Sequence, residues 1–164
     1  SDVPFFLFAP AACVTGRGET VRPVVVEGAR WVVLVNPGFG VNTKWAYQEL
    51  AATRTSVRPL SLAQRELGRQ SRMGWAQLMA AAENDFEAPV FAAHGTLREI
   101  KQSLQAHGAE IALLSGSGAT VFGVFADEAR ARRAHAQFVS ENFTNVFTIP
   151  TCSGPLVWRY ERSR

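Results

Sequence analysis

Two largely apolar runs, residues 109–114 (AEIALL) and 120–125 (TVFGVF), are joined only by small residues, through Ser115-Gly116-Ser117-Gly118-Ala119. Runs of this length bounded by glycine punctuation read as two buried strands, and so short a link commits this part of the chain to a sheet. The link also carries a chemical option, because alternating small residues let main-chain N–H groups converge on an anion without side-chain obstruction. No Gly-Lys-Ser/Thr ending closes the loop. A phosphate bound here is therefore held by backbone dipoles and a neighbouring helix terminus, not by a lysine. On spacing alone, a plain strand connection and an anion nest both stay open.

The flanks of this hairpin predict helices. Leu97, Ile100 and Leu104 lie three and four apart, which predicts an amphipathic helix over residues 97–106 with Thr96 as cap and Gly108 as terminator. A second helix over residues 127–139 leads into a last strand near 146–150. Towards the N-terminus, residues 11–15, 21–26 and 31–36 are short β-branched runs separated by turn chemistry at Gly16-Arg17-Gly18 and Glu27-Gly28, and they read as three consecutive strands. Asn36-Pro37-Gly38 stops the third, and Thr43 reads as the N-cap of a helix over 44–52, followed by a loop over 53–59. From residue 62 to 107 strand signals vanish and several short helices follow, with breaks at Gly68, Gly74, Pro89 and Gly95. The pattern is α+β, with helices segregated on one face of a largely antiparallel sheet.

Composition narrows the function classes. With 164 residues, 47% apolar and 19% charged, the chain is neither a disordered tail nor a collagen-like repeat nor a coiled coil, and it is long enough for one domain or the larger part of one. The net charge is +3, with 15 Arg and only Lys44 and Lys101 as lysines. The arginines are spread out instead of clustered with aromatics, and residues 120–125 carry no basic residue, so no nucleic-acid partner is expected. Cys13 and Cys152 lack metal-ligand spacing and read as reduced thiols in a cytoplasmic protein. His94, His107 and His135 have no paired ligand spacing, so no metal site is expected. The apolar segment 3–14 has no basic residue ahead of it, and no run reaches the roughly 18 apolar residues of a membrane span.

Candidate chemistry sits at a few places. Asp2, before Val3-Pro4, is either a solvated cap or a carboxylate that orients a substrate hydroxyl or takes its proton. Gly16-Arg17-Gly18-Glu19 is either a hairpin turn or a point of close ligand approach. The stretch NPGFGVNTKWAY (36–47) brings the Thr43 hydroxyl close in sequence to Trp45 and Tyr47, either of which is core or a stacking plate. Arg65, Arg69 and Arg72 are spaced as one solvated helical face.

Ser1-Asp2-Val3-Pro4-Phe5-Phe6, Gly16-Arg17-Gly18-Glu19, Asn36-Pro37-Gly38, Asn84-Asp85-Phe86-Glu87 and Ser115-Gly116-Ser117-Gly118-Ala119-Thr120 occur in that order. With these motifs the chain resembles, over nearly its whole length, the C-terminal half of the diphosphocytidyl-methylerythritol kinase family within the GHMP small-molecule kinase superfamily. The resemblance implies a GHMP-kinase C-terminal domain over 36–164, with a ferredoxin-like plait, preceded over 1–35 by the last strands of an N-terminal, ATP-binding domain. It implies phosphoryl transfer from ATP to the 2-hydroxyl of the methylerythritol unit, in the non-mevalonate route to isoprenoid precursors. Mg²⁺ would be held mainly by phosphates and by groups outside this chain.

In that resemblance Asp2 matches the active-site aspartate, Arg17 and Thr43 line the substrate pocket, and Tyr47 matches the aromatic that stacks on cytosine. Ser115, Gly116, Ser117, Gly118, Ala119 and Thr120 match the third superfamily motif, near the nucleotide phosphates. The small-molecule partner is one bearing a cytidine diphosphate group. Homoserine and mevalonate kinases share the Gly-Ser-Gly loop but are not expected to combine it with Asp-Val-Pro-Phe-Phe and Asn-Asp-Phe-Glu. The family's lysine- and asparagine-bearing strand, Tyr-His pair and Gly-rich phosphate loop belong ahead of Asp2. The expectation is that this chain needs that half for activity and that residues 1–35 expose apolar surface and self-associate or partly unfold without it.

Overall fold

The computed structural model describes residues 11–16, 18–54, 56 and 59–151. Among them run β1 (Ala12–Thr15), β2 (Thr20–Pro23), β3 (Val25–Glu27), β4 (Trp31–Asn36), α1 (Thr43–Thr53), α2 (Leu62–Leu67), β5 (Arg72–Gly74), α3 (Trp75–Ala81), α4 (Glu87–Ala93), α5 (Gly95–Ala106), β6 (Ile111–Leu114), β7 (Val121–Phe125), α6 (Glu128–Ser140) and β8 (Asn145–Pro150).

The core is a four-stranded sheet in the order β6-β7-β4-β8, antiparallel at every pairing. Strands β4 and β6 therefore run the same way with β7 between them, which is the plait topology that the family resemblance implies. On one face Val33, Val35, Leu114, Val121 and Phe125 are fully buried, beneath α5 and α6. Leu97, Ile100 and Leu104 are the buried stripe of α5, each side chain contributing about 1.5–3 kcal/mol by leaving water. Gly123 lies in β7 under this helix because a Cβ there would meet Leu104 Cδ2 and Phe125 Cε2 at 3.0 Å. On the other face, the register sets Leu34 opposite both Phe122 and Phe147, and Val32 opposite Ile149. No helix among the described residues is long and apolar enough to cross a membrane.

Several local expectations change. The run 21–26 is two strands, because the chain leaves the β1–β2 hairpin after Pro23, and Val25 N–H donates to Ser71 O at 2.9 Å. Strand β3 instead pairs in parallel with β5, a strand that sequence reading placed among helices. The N-cap of α1 is Asn42, whose Oδ1 accepts from Trp45 N–H at 3.0 Å, so Thr43 is the first helical residue. Helix α5 starts at Gly95, which puts Thr96 inside it. Arg65 lies in α2, Arg69 in the turn after it and Arg72 in β5, so the three do not share a helical face. The division expected at residue 35/36 falls within β4, whose ladders to β7 and β8 tie it to the later sheet.

Candidate active site

The loop after β6 is closed by its own backbone. Ser115 N–H donates to Thr120 O at 2.8 Å, and Gly118 N–H to Ser115 O at 2.9 Å. Gly118 has φ +99, and a Cβ there would lie 3.3 Å from both Leu114 Cδ1 and Val41 Cγ2. The backbone angle favours glycine at this point, and an added methyl would also crowd both neighbours. Among the described residues nothing accepts a hydrogen bond from the N–H groups of Gly116 and Ser117. Thr120 Oγ1 accepts from Asn36 Nδ2 at 3.1 Å, and Asn36 Oδ1 accepts from Gly38 N–H at 2.9 Å. This ties the loop's exit to the turn that ends β4.

Helix α1 begins beside the loop. Thr43 Oγ1 and Ser117 Oγ lie 3.0 Å apart in a shared hydrogen bond. The first turn of α1 carries no acidic residue, so the partial positive charge of its N-terminus is not neutralised there. Tyr47 follows four residues after Thr43, about one turn or roughly 6 Å along the same helix face. Its side chain is 60% exposed, with the ring meeting Phe86 edge-on at 4.8 Å and 86°. Trp45 instead packs against the core and meets His94 edge-on at 5.7 Å, while Phe39 stacks on the same imidazole at 5.4 Å. Of the two aromatics left open by the sequence, Tyr47 is the exposed one and Trp45 the one packed against the core.

Residues 84–87 join these parts. Asn84 Nδ2 donates to Leu114 O at 2.7 Å and to Gly116 O at 2.8 Å, and its Oδ1 accepts from Phe86 N–H at 2.9 Å. Asp85 forms an ion pair with Arg54, the C-cap of α1. Glu87 Oε1 accepts from Leu114 N–H at 2.9 Å, and its Oε2 pairs with Lys101 Nζ at 2.5 Å. The sequence singles this motif out but assigns it no contact. It stands out only as one of the motifs that carry the family resemblance, which says nothing about carbonyl partners about 30 residues away.

Of the other candidates, some lie elsewhere in the fold and some outside the described residues. Asp2 and Arg17 lie outside the described residues, as does Cys152. Gly16 and Gly18 belong to the turn of the β1–β2 hairpin, where Gly18 N–H donates to Thr15 O at 3.3 Å. His107 Nδ1 contacts Ser103 O, and His135 Nδ1 contacts Thr148 Oγ1. These uses of the two imidazoles are local. Among the described residues no group of three or more His, Cys, Asp or Glu could hold a metal ion. A cavity of about 260 Å³ between the hairpin and α2–α3 is lined by Cys13, Val24, Leu67, Met73 and Leu78, with Gln64 as a polar group. It lacks the converging polar atoms that the loop and α1 provide.

The family described as GHMP kinases C terminal matches residues 63–145. A protein of Geobacter sp. (strain M21) named 4-diphosphocytidyl-2-C-methyl-D-erythritol kinase is 39% identical over 137 residues, which are 84% of this chain and 46% of that protein. A protein of the same name from Geotalea daltonii is 36% identical over 151 residues, covering 92% of this chain and 51% of that protein. A crystal structure of 4-(cytidine 5'-diphospho)-2C-methyl-D-erythritol kinase superposes with a TM-score of 0.63 at 25% identity, covering 90% of this chain and 52% of that one. The homoserine kinase of Cytophaga hutchinsonii, at 15% identity and a TM-score of 0.58, shares the fold. The chain spans about half the length of the curated relatives it matches.

Proposed function

We propose, from the premise that this chain belongs to the GHMP kinases through their C-terminal domain, that it carries the acceptor side of a phosphoryl-transfer site. The donor is ATP, and the acceptor is the 2-hydroxyl of 4-diphosphocytidyl-2-C-methyl-D-erythritol, the compound in the relatives' shared name. The hydroxyl oxygen forms a bond to the γ-phosphorus as the bond to the ADP oxygen breaks. Asp2 supplies the carboxylate towards which the hydroxyl proton points. Tyr47 stacks on the cytosine, and Arg17 and Thr43 line the same pocket. The loop of residues 115–120, through the N–H groups of Gly116 and Ser117 that its own closure leaves unused, faces phosphate oxygens together with the N-terminus of α1.

The observation that carries this reading is the contact of Thr43 with Ser117. It puts a loop with unused N–H donors, a helix N-terminus and an accessible aromatic one turn further on along a single face. Phosphoryl transfer needs positioning and charge stabilisation more than covalent help from the protein, and such groups provide both. Mg²⁺ accompanying ATP would be held mainly by the phosphates, as this ion usually is. We place the start of the C-terminal domain before β4, with the β1–β2 hairpin belonging to the ATP-binding side. The ATP-binding side of the site corresponds, in this reading, to the part of the longer relatives that this chain does not span.

The test joins the N-terminal half of the Geobacter sp. relative to this chain and follows transfer of labelled phosphate from ATP to the diphosphocytidyl acceptor. Transfer is expected, with Asp2→Ala lowering it by about 100-fold or more. A well-folded chimera without transfer, or an Asp2→Ala form as active as its parent, would overturn the reading.

A further inference from the structure

Each side chain of the segment Asn84-Asp85-Phe86-Glu87 reaches a different part of the candidate site: the loop, the end of α1, the Tyr47 ring and the end of β6. We infer that this segment is a brace that holds the anion loop and the Tyr47 plate at a fixed separation, with Asn84 and Glu87 positioning the loop and Phe86 positioning the ring. The inference rests on the functional reading given above.

The peptide plane supplies the mechanism. A carbonyl and the N–H of the next residue belong to one rigid unit and point in opposite directions. When Asn84 Nδ2 holds Gly116 O, it thereby aims Ser117 N–H away from itself, and that N–H has no acceptor among the described residues. Glu87 and Asn84 together hold both the N–H and the carbonyl of Leu114, the last residue of β6. A loop with glycines at φ +55 and +99 has little stiffness of its own, so its shape depends on these outside bonds.

The Glu87–Lys101 pair fits the same role. The two side chains are only 16% and 21% exposed, and a shielded ion pair is often no more stabilising than apolar residues of similar size. Its geometric effect is specific: Lys101 fixes one carboxylate oxygen while the other receives Leu114 N–H. Phe86 carries the brace to the ring, since its own N–H is bound by Asn84 Oδ1 while its side chain packs against Tyr47. Phosphate and base of one ligand are thereby registered against each other by four consecutive residues.

The experiment uses the whole 164-residue chain, isotopically labelled, with inorganic pyrophosphate and CDP as separate probes read by backbone amide and Tyr47 ring shifts. The unsubstituted chain is expected to show shifts at Gly116 and Ser117 with both probes, and at Tyr47 with CDP. Asn84→Ala and Asn84→Leu are expected to weaken both probes about tenfold. Phe86→Leu is expected to weaken CDP and leave pyrophosphate unchanged. Glu87→Ala is expected to weaken pyrophosphate, and Glu87→Gln, which keeps an acceptor for Leu114 N–H, to restore it to within about twofold. Wild-type pyrophosphate affinity in both Asn84 variants, or equal weakening of both probes by Phe86→Leu, would overturn the brace. If the unsubstituted chain binds neither probe, the functional reading fails, and amide exchange decides the brace: faster exchange at Leu114 in Glu87→Ala supports it, and unchanged exchange overturns it.

Discussion

The hydroxyls of Thr43 and Ser117, 74 positions apart in the chain, meet at 3.0 Å. This one contact sets the glycine-rich loop against the N-terminus of α1. Removing the Thr43 hydroxyl while keeping its branched shape, in Thr43→Val, is expected to weaken pyrophosphate binding about three- to tenfold, and Thr43→Ser to keep it. Because both groups are at the surface, the thermal midpoint should move little. A Thr43→Val chain that binds as tightly as the parent in isothermal titration would remove Thr43 from the site.

Capping of α1 belongs to the residue before. Asn42 Oδ1 binds Trp45 N–H, and Asn42→Ala is expected to cost about 1 kcal/mol of stability in urea unfolding, within the 0.5–2 kcal/mol range of such caps. Thr43→Ala should cost clearly less. The reverse order would mean that the cap is Thr43.

Gly123 answers to packing. A Cβ at this position approaches Leu104 and Phe125 at 3.0 Å in a filled interior, so Gly123→Ala is expected to destabilise by about 1–3 kcal/mol. Leu104→Ala, which opens a cavity at a fully buried site, should cost about 2–5 kcal/mol. Combining the two should cost less than their sum, because the smaller residue at 104 makes room for the added methyl. Strict additivity in denaturant titrations would contradict that coupling.

Tyr47 is exposed, and the proposed function has its ring stacking on the base. Tyr47→Leu is expected to lower the affinity for CDP by roughly five- to tenfold, as loss of one aromatic–base stack does, with pyrophosphate affinity unchanged. Equal CDP affinity in the variant would move the base subsite elsewhere.

What could be read in the sequence was whatever had a local period or a local chemistry. The α5 stripe of Leu97, Ile100 and Leu104 is visible at spacings of three and four and is the buried face of that helix. The residues 115–119 stand out because nothing but small side chains separates two apolar runs. Strand β5 was hidden because it is three residues long and its partner β3 lies about 45 residues earlier, so no nearby pattern announces it. Asn42 and Thr43 are adjacent cap formers, and only geometry separates the cap from the first helical residue. Asn84 was recognisable as part of a motif, yet its work is done on two backbone carbonyls, which carry no side-chain identity and so no sequence signal. Asp2 and Arg17 remain proposals that stand on resemblance and lie outside the described residues.

The central claim is that this chain directs phosphate onto an acceptor bearing a cytidine diphosphate. Its most direct test is an acceptor competition in the chimera with the Geobacter sp. N-terminal half, offering the diphosphocytidyl acceptor, homoserine and mevalonate together with labelled ATP. The account predicts label in the diphosphocytidyl compound alone, falling in parallel with CDP affinity in Tyr47→Leu. Label in homoserine or mevalonate, or selectivity for the diphosphocytidyl compound that persists undiminished in Tyr47→Leu, would contradict it.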